Sequence, residues 1–186
     1  MNIAPFQKPT DYRAPEHVNV LYDALSLATT NERLAREVRQ TLGEEFLMVG
    51  LLKGSFVFMA DLVRALHRAG CSPQVDFMTL SSYGTGKESS GQLTIHRDVS
   101  DDLSQKPVLL VDDILESGRT LTYARQALLG RGAASVHLCV LLDKPCRRVE
   151  PMEAQFVGYT IPDTFVVGYG LDYAGFYREL PFIGAL

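Results

Sequence analysis

The sequence has no surplus of positive charge. Its 18 Lys and Arg face 22 Asp and Glu, a net −4 over 186 residues, so nucleic acid is not expected as a partner. It has only three cysteines, Cys71, Cys139 and Cys146, without metal-type spacing and in a number that cannot all pair within one chain. A disulfide scaffold is excluded, and free thiols suit a reducing cytoplasm. Residues 1–14 lack a cationic start followed by an apolar run, so no signal peptide is read there. The stretch Phe46–Val63 is interrupted by Lys53, Gly54, Ser55 and Asp61 and reads as strand, turn and helix rather than as a membrane span. The P-loop spacing and the G-x-G-x-x-G fingerprint are both missing. His17, His67, His96 and His137 share no motif, and no internal repeat or long linker is visible.

What is present is an ordinary globular composition, 46% apolar and 22% charged, at a length suited to one domain. Thr29-x-x-Glu32 resembles a capping box, and Leu34, Val38 and Leu42 follow before Gly43. This predicts a surface helix of about three turns. Phe46–Leu52 predicts a buried strand, Lys53-Gly54-Ser55 a turn, and Phe56, Met59, Val63 and Leu66 one stripe of a second helix. Further strands are expected at Val75–Leu80, Leu93–Ile95, Val108–Val111, Ser135–Leu142 and Phe165–Val167, with a helix through Leu121, Ala124 and Leu128. Alternating strands and helices imply an α/β fold with a largely parallel twisted sheet flanked by helices. In such sheets ligands sit beyond the carboxyl ends of the strands.

The most informative run is Val108–Thr120. Four apolar residues lead to Asp112 and Asp113, then to Ile114-Leu115 and the loop Glu116-Ser117-Gly118-Arg119-Thr120. A buried strand would deliver two carboxylates to its end, and the amides and hydroxyls of the loop would hold an anion at a helix start. A sugar phosphate, with hydroxyls for the acids and a phosphate for the loop, fits this order.

This run resembles the phosphoribosyl-diphosphate signature of type I phosphoribosyltransferases, and other segments resemble their hypoxanthine-guanine branch. Those segments are Leu52-Lys53-Gly54-Ser55, Ser82-Tyr83-Gly84, Leu142-Asp143-Lys144, and Phe165 through Tyr173 with Arg178. The resemblance spans about Phe46 to Ile183. It implies transfer of ribose 5-phosphate from 5-phosphoribosyl 1-diphosphate to a 6-oxopurine with Mg²⁺, giving IMP or GMP and diphosphate.

The resemblance also implies roles. Glu116, Ser117, Gly118, Arg119 and Thr120 would hold the 5′-phosphate, with the Arg119 side chain turned away. Lys53, Gly54 and Arg178 would hold diphosphate, beside an unusual peptide before Lys53 that no sequence displays. Asp112 and Asp113 would face the ribose hydroxyls and a Mg²⁺, with Asp172 near a second. Ile114, Lys144, Phe165, Val166, Leu171 and Asp172 would form the base site. Lysine only donates hydrogen bonds, which suits a 6-oxo oxygen. A lid over about 81–91, with Ser82 and Tyr83, would close on the site. A small hood would form from about 1–30 and 151–186, over a core of about 31–150. Members usually assemble as dimers or tetramers, and the apolar Pro181–Leu186 tail would suit an interface.

Glu116 aligns with the family's general base, commonly Asp, and is one methylene longer. The rival readings are a guanine-xanthine enzyme and a non-catalytic regulator on the same fold.

Overall fold

The computed structural model describes residues 17–82 and 93–186. Strand β1 (Asn19–Tyr22) leads into helix α1 (Ala24–Leu42). Asp23 caps that helix, its carboxylate accepting from the Ser26 amide at 2.8 Å. The helix therefore starts well before the expected Thr29, whose hydroxyl donates back to the Leu25 carbonyl at 3.0 Å from inside the helix. At 19 residues it runs roughly five turns rather than three. Leu27, Leu34, Ala35 and Val38 bury one face of it.

The chain continues through β2 (Leu47–Leu52), α2 (Phe56–Arg68), β3 (Gln74–Ser82), β4 (Leu93–Arg97), β5 (Pro107–Leu115), α3 (Arg119–Gly130) and β6 (Ser135–Asp143). A single 3-10 turn, Pro145–Arg147, follows, and then β7 (Phe156–Thr160), β8 (Val166–Val167) and β9 (Ile183–Ala185). Six strands form one sheet in the order β4-β3-β2-β5-β6-β7, parallel except for the antiparallel edge strand β4. The fold is the expected α/β sheet. Its last strand, β7, was not expected, and it carries the core past residue 150 to Thr160. Half-buried Val157, Gly158 and Tyr159 give it a mixed pattern that hides its pairing with β6.

Both faces of the sheet are covered. Leu47, Val49 and Leu51 of β2 pack on one side with Leu110, Leu121 and Leu128. Met48 lies on the other side with Leu109, Leu34 and Leu62. Alternate residues thus enter opposite cores, the two-faced burial that an all-apolar strand predicts. Gly50 permits the close approach of α2, since a Cβ there would overlap the sulfur of Met59. The buried stripe of α2 differs from the expected one: Phe58, Met59, Leu62, Ala65 and Leu66 are buried, while Phe56 is 44% exposed. Phe56 stands in the first turn, where it lines a surface cleft rather than the core.

A second, three-stranded sheet, β1-β9-β8, joins strands from the two terminal segments assigned to the hood. The apolar tail lies here: Ile183 is fully buried, and β9 is the middle strand of this sheet. The expected strand Phe165–Val167 also lies here, shortened to β8.

Candidate active site

Because β2, β5 and β6 run parallel, their carboxyl ends share one rim. They bring Lys53, Glu116 and Lys144 to it. One expectation about the rim is corrected. Asp112 and Asp113 do not end β5: the strand continues to Leu115, because β6 pairs along it as far as Leu115↔Asp143. Pairing with β2 stops at Val111↔Gly50, so the acids lie beyond it. Burial pushes both carboxyls up from the ordinary range, and the Asp113 charge adds to the rise at Asp112. Neither acid is ion-paired among the described residues. The pair gathers hard carboxylate oxygen donors at one place on the rim.

The loop after β5 separates its amides from its carbonyls. The Leu115 carbonyl accepts from the Lys144 amide at 2.9 Å, and the Glu116 carbonyl from the Arg148 guanidinium at 2.6 Å. The Ser117 carbonyl accepts from the Val149 and Glu150 amides at 3.0 and 2.9 Å, and the Gly118 carbonyl from Thr122 at 2.9 Å. The amides of Ser117, Gly118, Thr120 and Leu121 have no partner among the described residues. In a trans peptide N–H and C=O point in opposite directions. Tying the carbonyls back therefore turns the amides toward the open side. There they meet a cleft of about 260 Å³ lined by residues 112–118, 120 and 121. Gly118, at φ 83°, takes the left-handed turn that a side chain resists. Arg119 is exposed and outside the lining. Free amides at the start of α3 make an anion-binding surface.

The turn after β2 meets the hood. The Leu52–Lys53 peptide is cis. A Cβ at Gly54 would overlap the Asp113 carboxylate, and a Cβ at Gly170 would overlap the Gly54 carbonyl. Gly170 has φ 102°, and its amide donates to the Arg178 carbonyl at 3.0 Å. The Arg178 guanidinium donates to the Gly170 carbonyl at 2.5 Å and pairs with Asp172 at 2.6 Å. Asp113, Gly54, Gly170, Arg178 and Asp172 thus form one contact chain. Behind it, the Tyr169 hydroxyl donates to Asp61 at 2.5 Å and accepts from Asn31 at 2.9 Å, fastening the hood to α1 and α2.

At the other end of the rim, Lys144 has a side chain only 5% exposed, and its Nζ meets Glu116 Oε1 at 2.6 Å. Asp163 lies 4.0 Å from the same ammonium and pairs with Arg147 at 2.6 Å. Phe165 is 53% exposed and stands edge-on to Tyr173 at 5.5 Å. Val166 and Leu171 are buried, and Ile114 is half-buried. The Ser82 backbone ends β3 opposite Leu93. Tyr83 and the rest of the expected lid to Gly91 lie outside the described residues.

Sequence reasoning missed Arg148, Tyr169 and Asn31. Arg148 follows the Lys144 segment after a turn containing Pro145, and a local reading makes it a solvated arginine. Asn31 reads as a polar position on a helix surface. Only the three-dimensional partners reveal either.

Comparison with known proteins agrees with this geometry. Residues 17–174 match the phosphoribosyl transferase domain model. The chain is 44% identical over 170 residues to hypoxanthine phosphoribosyltransferase of Escherichia coli K12, covering 90% of this chain and 94% of that protein. A crystal structure of a Staphylococcus aureus hypoxanthine phosphoribosyltransferase superposes with a TM-score of 0.86 at 38% identity, covering 96% of each chain. A Trypanosoma cruzi hypoxanthine phosphoribosyl transferase, solved to define how its C-terminal region affects oligomeric state and activity, gives a TM-score of 0.85. It is 35% identical, with 94% of each chain covered. With an amide-lined loop after paired acids and a fold shared along nearly its whole length, the chain belongs to the phosphoribosyltransferase family, among its hypoxanthine-guanine enzymes.

Proposed function

We propose that the protein transfers the 5-phosphoribosyl group from 5-phosphoribosyl 1-diphosphate to hypoxanthine and guanine, in purine salvage. The observation that carries this reading is the placement of the Lys144–Glu116 pair at one end of a rim whose middle is the amide-lined loop. A 6-oxopurine presents a carbonyl oxygen beside an imidazole ring that must lose a proton. Lys144 donates to the first, and Glu116 accepts from the second.

The amides of residues 117–121, with the Ser117 and Thr120 hydroxyls, hold the 5′-phosphate. Asp112 and Asp113 take the ribose hydroxyls. Lys53, Gly54 and Arg178 face the diphosphate, where charge-assisted donors stabilise the leaving group. Phe165 stacks on the purine, and the Val166 backbone reads its edge, with Ile114 and Leu171 as walls. As the bond from C1′ to diphosphate breaks, the purine nitrogen bonds C1′ and its ring proton passes to Glu116. Acids beneath the sugar favour positive charge on that carbon.

Asp112 and Asp113 fit Mg²⁺, which binds one or two carboxylates and leaves its other positions to substrate and water. Asp172, paired with Arg178, would serve a second ion. Held there, Mg²⁺ would supply positive charge to offset the negative charge that develops on diphosphate.

We place the enzyme in the cytoplasm, which the buried free thiols of Cys71 and Cys139 suit; no helix among the described residues is long and apolar enough to cross a membrane. A homodimer or homotetramer is supported by the exposed Phe56 beside a cleft of about 720 Å³ that Arg178 also lines.

A steady-state assay with hypoxanthine, guanine, xanthine and adenine, with and without Mg²⁺, tests the reading. Turnover of hypoxanthine and guanine that needs Mg²⁺ is expected. Turnover of xanthine and guanine alone would move the chain to the guanine-xanthine enzymes, and no turnover of any base would overturn the enzyme reading.

A further inference from the structure

The geometry points to Arg148 as a positioning residue that aims the phosphate-binding amides from behind the loop. Its guanidinium bridges two places: Nη1 donates to the Glu116 carbonyl at 2.6 Å, and Nη2 pairs with the Asp143 carboxylate at the end of β6. Both side chains are largely buried, 17% and 18% exposed.

The peptide whose carbonyl Arg148 holds is the one that carries the Ser117 N–H. Fixing that oxygen fixes the direction of the amide on the opposite side. The next peptide is held in the same way, because the Val149 and Glu150 amides both take the Ser117 carbonyl. Arg148 thus begins a segment that turns successive carbonyls away from the site. Without it the Glu116–Ser117 peptide loses its only partner among the described residues on the carbonyl side and is free to rotate. An outward carbonyl would place a partial negative charge where an anion must sit. Asp143 orients the guanidinium and stands one residue before Lys144, so a single bridge ties the phosphate loop to the strand that carries the base lysine. A lysine at this position has no planar fork with which to span both acceptors.

This inference rests on reading the loop as the phosphate site, and the experiment separates the two. The dissociation constants of IMP and inosine are measured for wild type, Arg148→Met and Arg148→Lys, with the KM for hypoxanthine at saturating 5-phosphoribosyl 1-diphosphate. A hydrogen bond to a charged group is commonly worth a factor of about ten or more. Arg148→Met is therefore expected to weaken IMP about tenfold and leave the hypoxanthine KM within about twofold, with Arg148→Lys between it and wild type. If Arg148→Met binds IMP as wild type does, or weakens IMP and raises the hypoxanthine KM by equal factors, the positioning role is overturned. If Arg148→Met does not fold, Asp143→Asn takes its place, with a smaller loss in IMP alone expected and the same outcomes overturning the role. A wild-type protein that binds inosine as tightly as IMP would instead overturn the phosphate reading, and this inference with it.

Discussion

Lys144 and Glu116 meet at 2.6 Å, although one side chain is 5% exposed and the other 48%. The buried member is the cation. Burying an ammonium without a partner is costly, and the carboxylate that partners it comes from the loop after β5. On the proposed function, the residue that would donate to the base and the residue that would take its proton face each other directly.

Replacing Lys144 by Met keeps the length of the side chain and removes its donors. The kcat/KM for hypoxanthine is expected to fall about 10- to 100-fold, the loss of one hydrogen bond to a charged group. The affinity for 5-phosphoribosyl 1-diphosphate should hardly change. Parallel titrations of the two substrates check this, and equal losses in both would make Lys144 structural.

Glu116→Gln keeps the shape and removes the proton acceptor. Its single-turnover rate should fall by about 10²–10⁴, the usual worth of general-base help. Glu116→Asp keeps the chemistry but shortens the reach to Lys144, and its loss should be smaller. Rates measured across pH decide the matter: if Gln equals wild type throughout, the base lies elsewhere.

Gly170→Ala drives a methyl group into the Gly54 carbonyl at a φ of 102°. Overpacking costs about 1–3 kcal/mol, and the left-handed backbone adds to it. We expect a lower melting temperature together with a raised KM for the diphosphate substrate, because the displaced atom belongs to the turn that carries Lys53. Calorimetry and steady-state kinetics test the two halves separately.

Asp76 gives a pH dependence of stability. Burial pushes its carboxyl up, but hydrogen bonds from the Phe77 and Ser100 amides and the Ser100 hydroxyl, with the Arg97 charge, outweigh burial and leave it below its usual value. A depressed folded value stabilises above the unfolded pKa, and that contribution disappears as the pH falls through the folded one. Asp76→Asn should therefore destabilise the protein by about 1–3 kcal/mol at neutral pH, and the difference should close in acid below pH ~4. Urea melts of both proteins at neutral and acidic pH measure it.

The run Val108–Thr120 was legible because it is local. An apolar strand, two acids and a loop with glycine and hydroxyls constrain one another within a few residues. The β2 strand and its turn were legible for the same reason. What escaped depends on distant partners. Asp23 was overlooked as a cap because Thr29-x-x-Glu32 offers a stronger local signature, although burial of Leu27 places that signature inside the helix. The strand in the apolar tail was hidden because its partners, Asn19–Tyr22 and Val166–Val167, lie far away in sequence. The two acids were placed at the end of β5 because nothing local announces that β6 pairs past them. Arg148 carries no sequence signal, since both its acceptors are chosen by the fold.

The pairing of β1 with β9 has a consequence for the order in which the molecule is made. β1 leaves the ribosome before the rest of the described chain, yet its neighbour in the hood, Ile183–Ala185, is the last described strand to be synthesised. The six-stranded sheet ends at Thr160, so β1 waits for its strand partner until all of that sheet has been synthesised. A chain that stops at Thr160 therefore holds β1 without its strand partner.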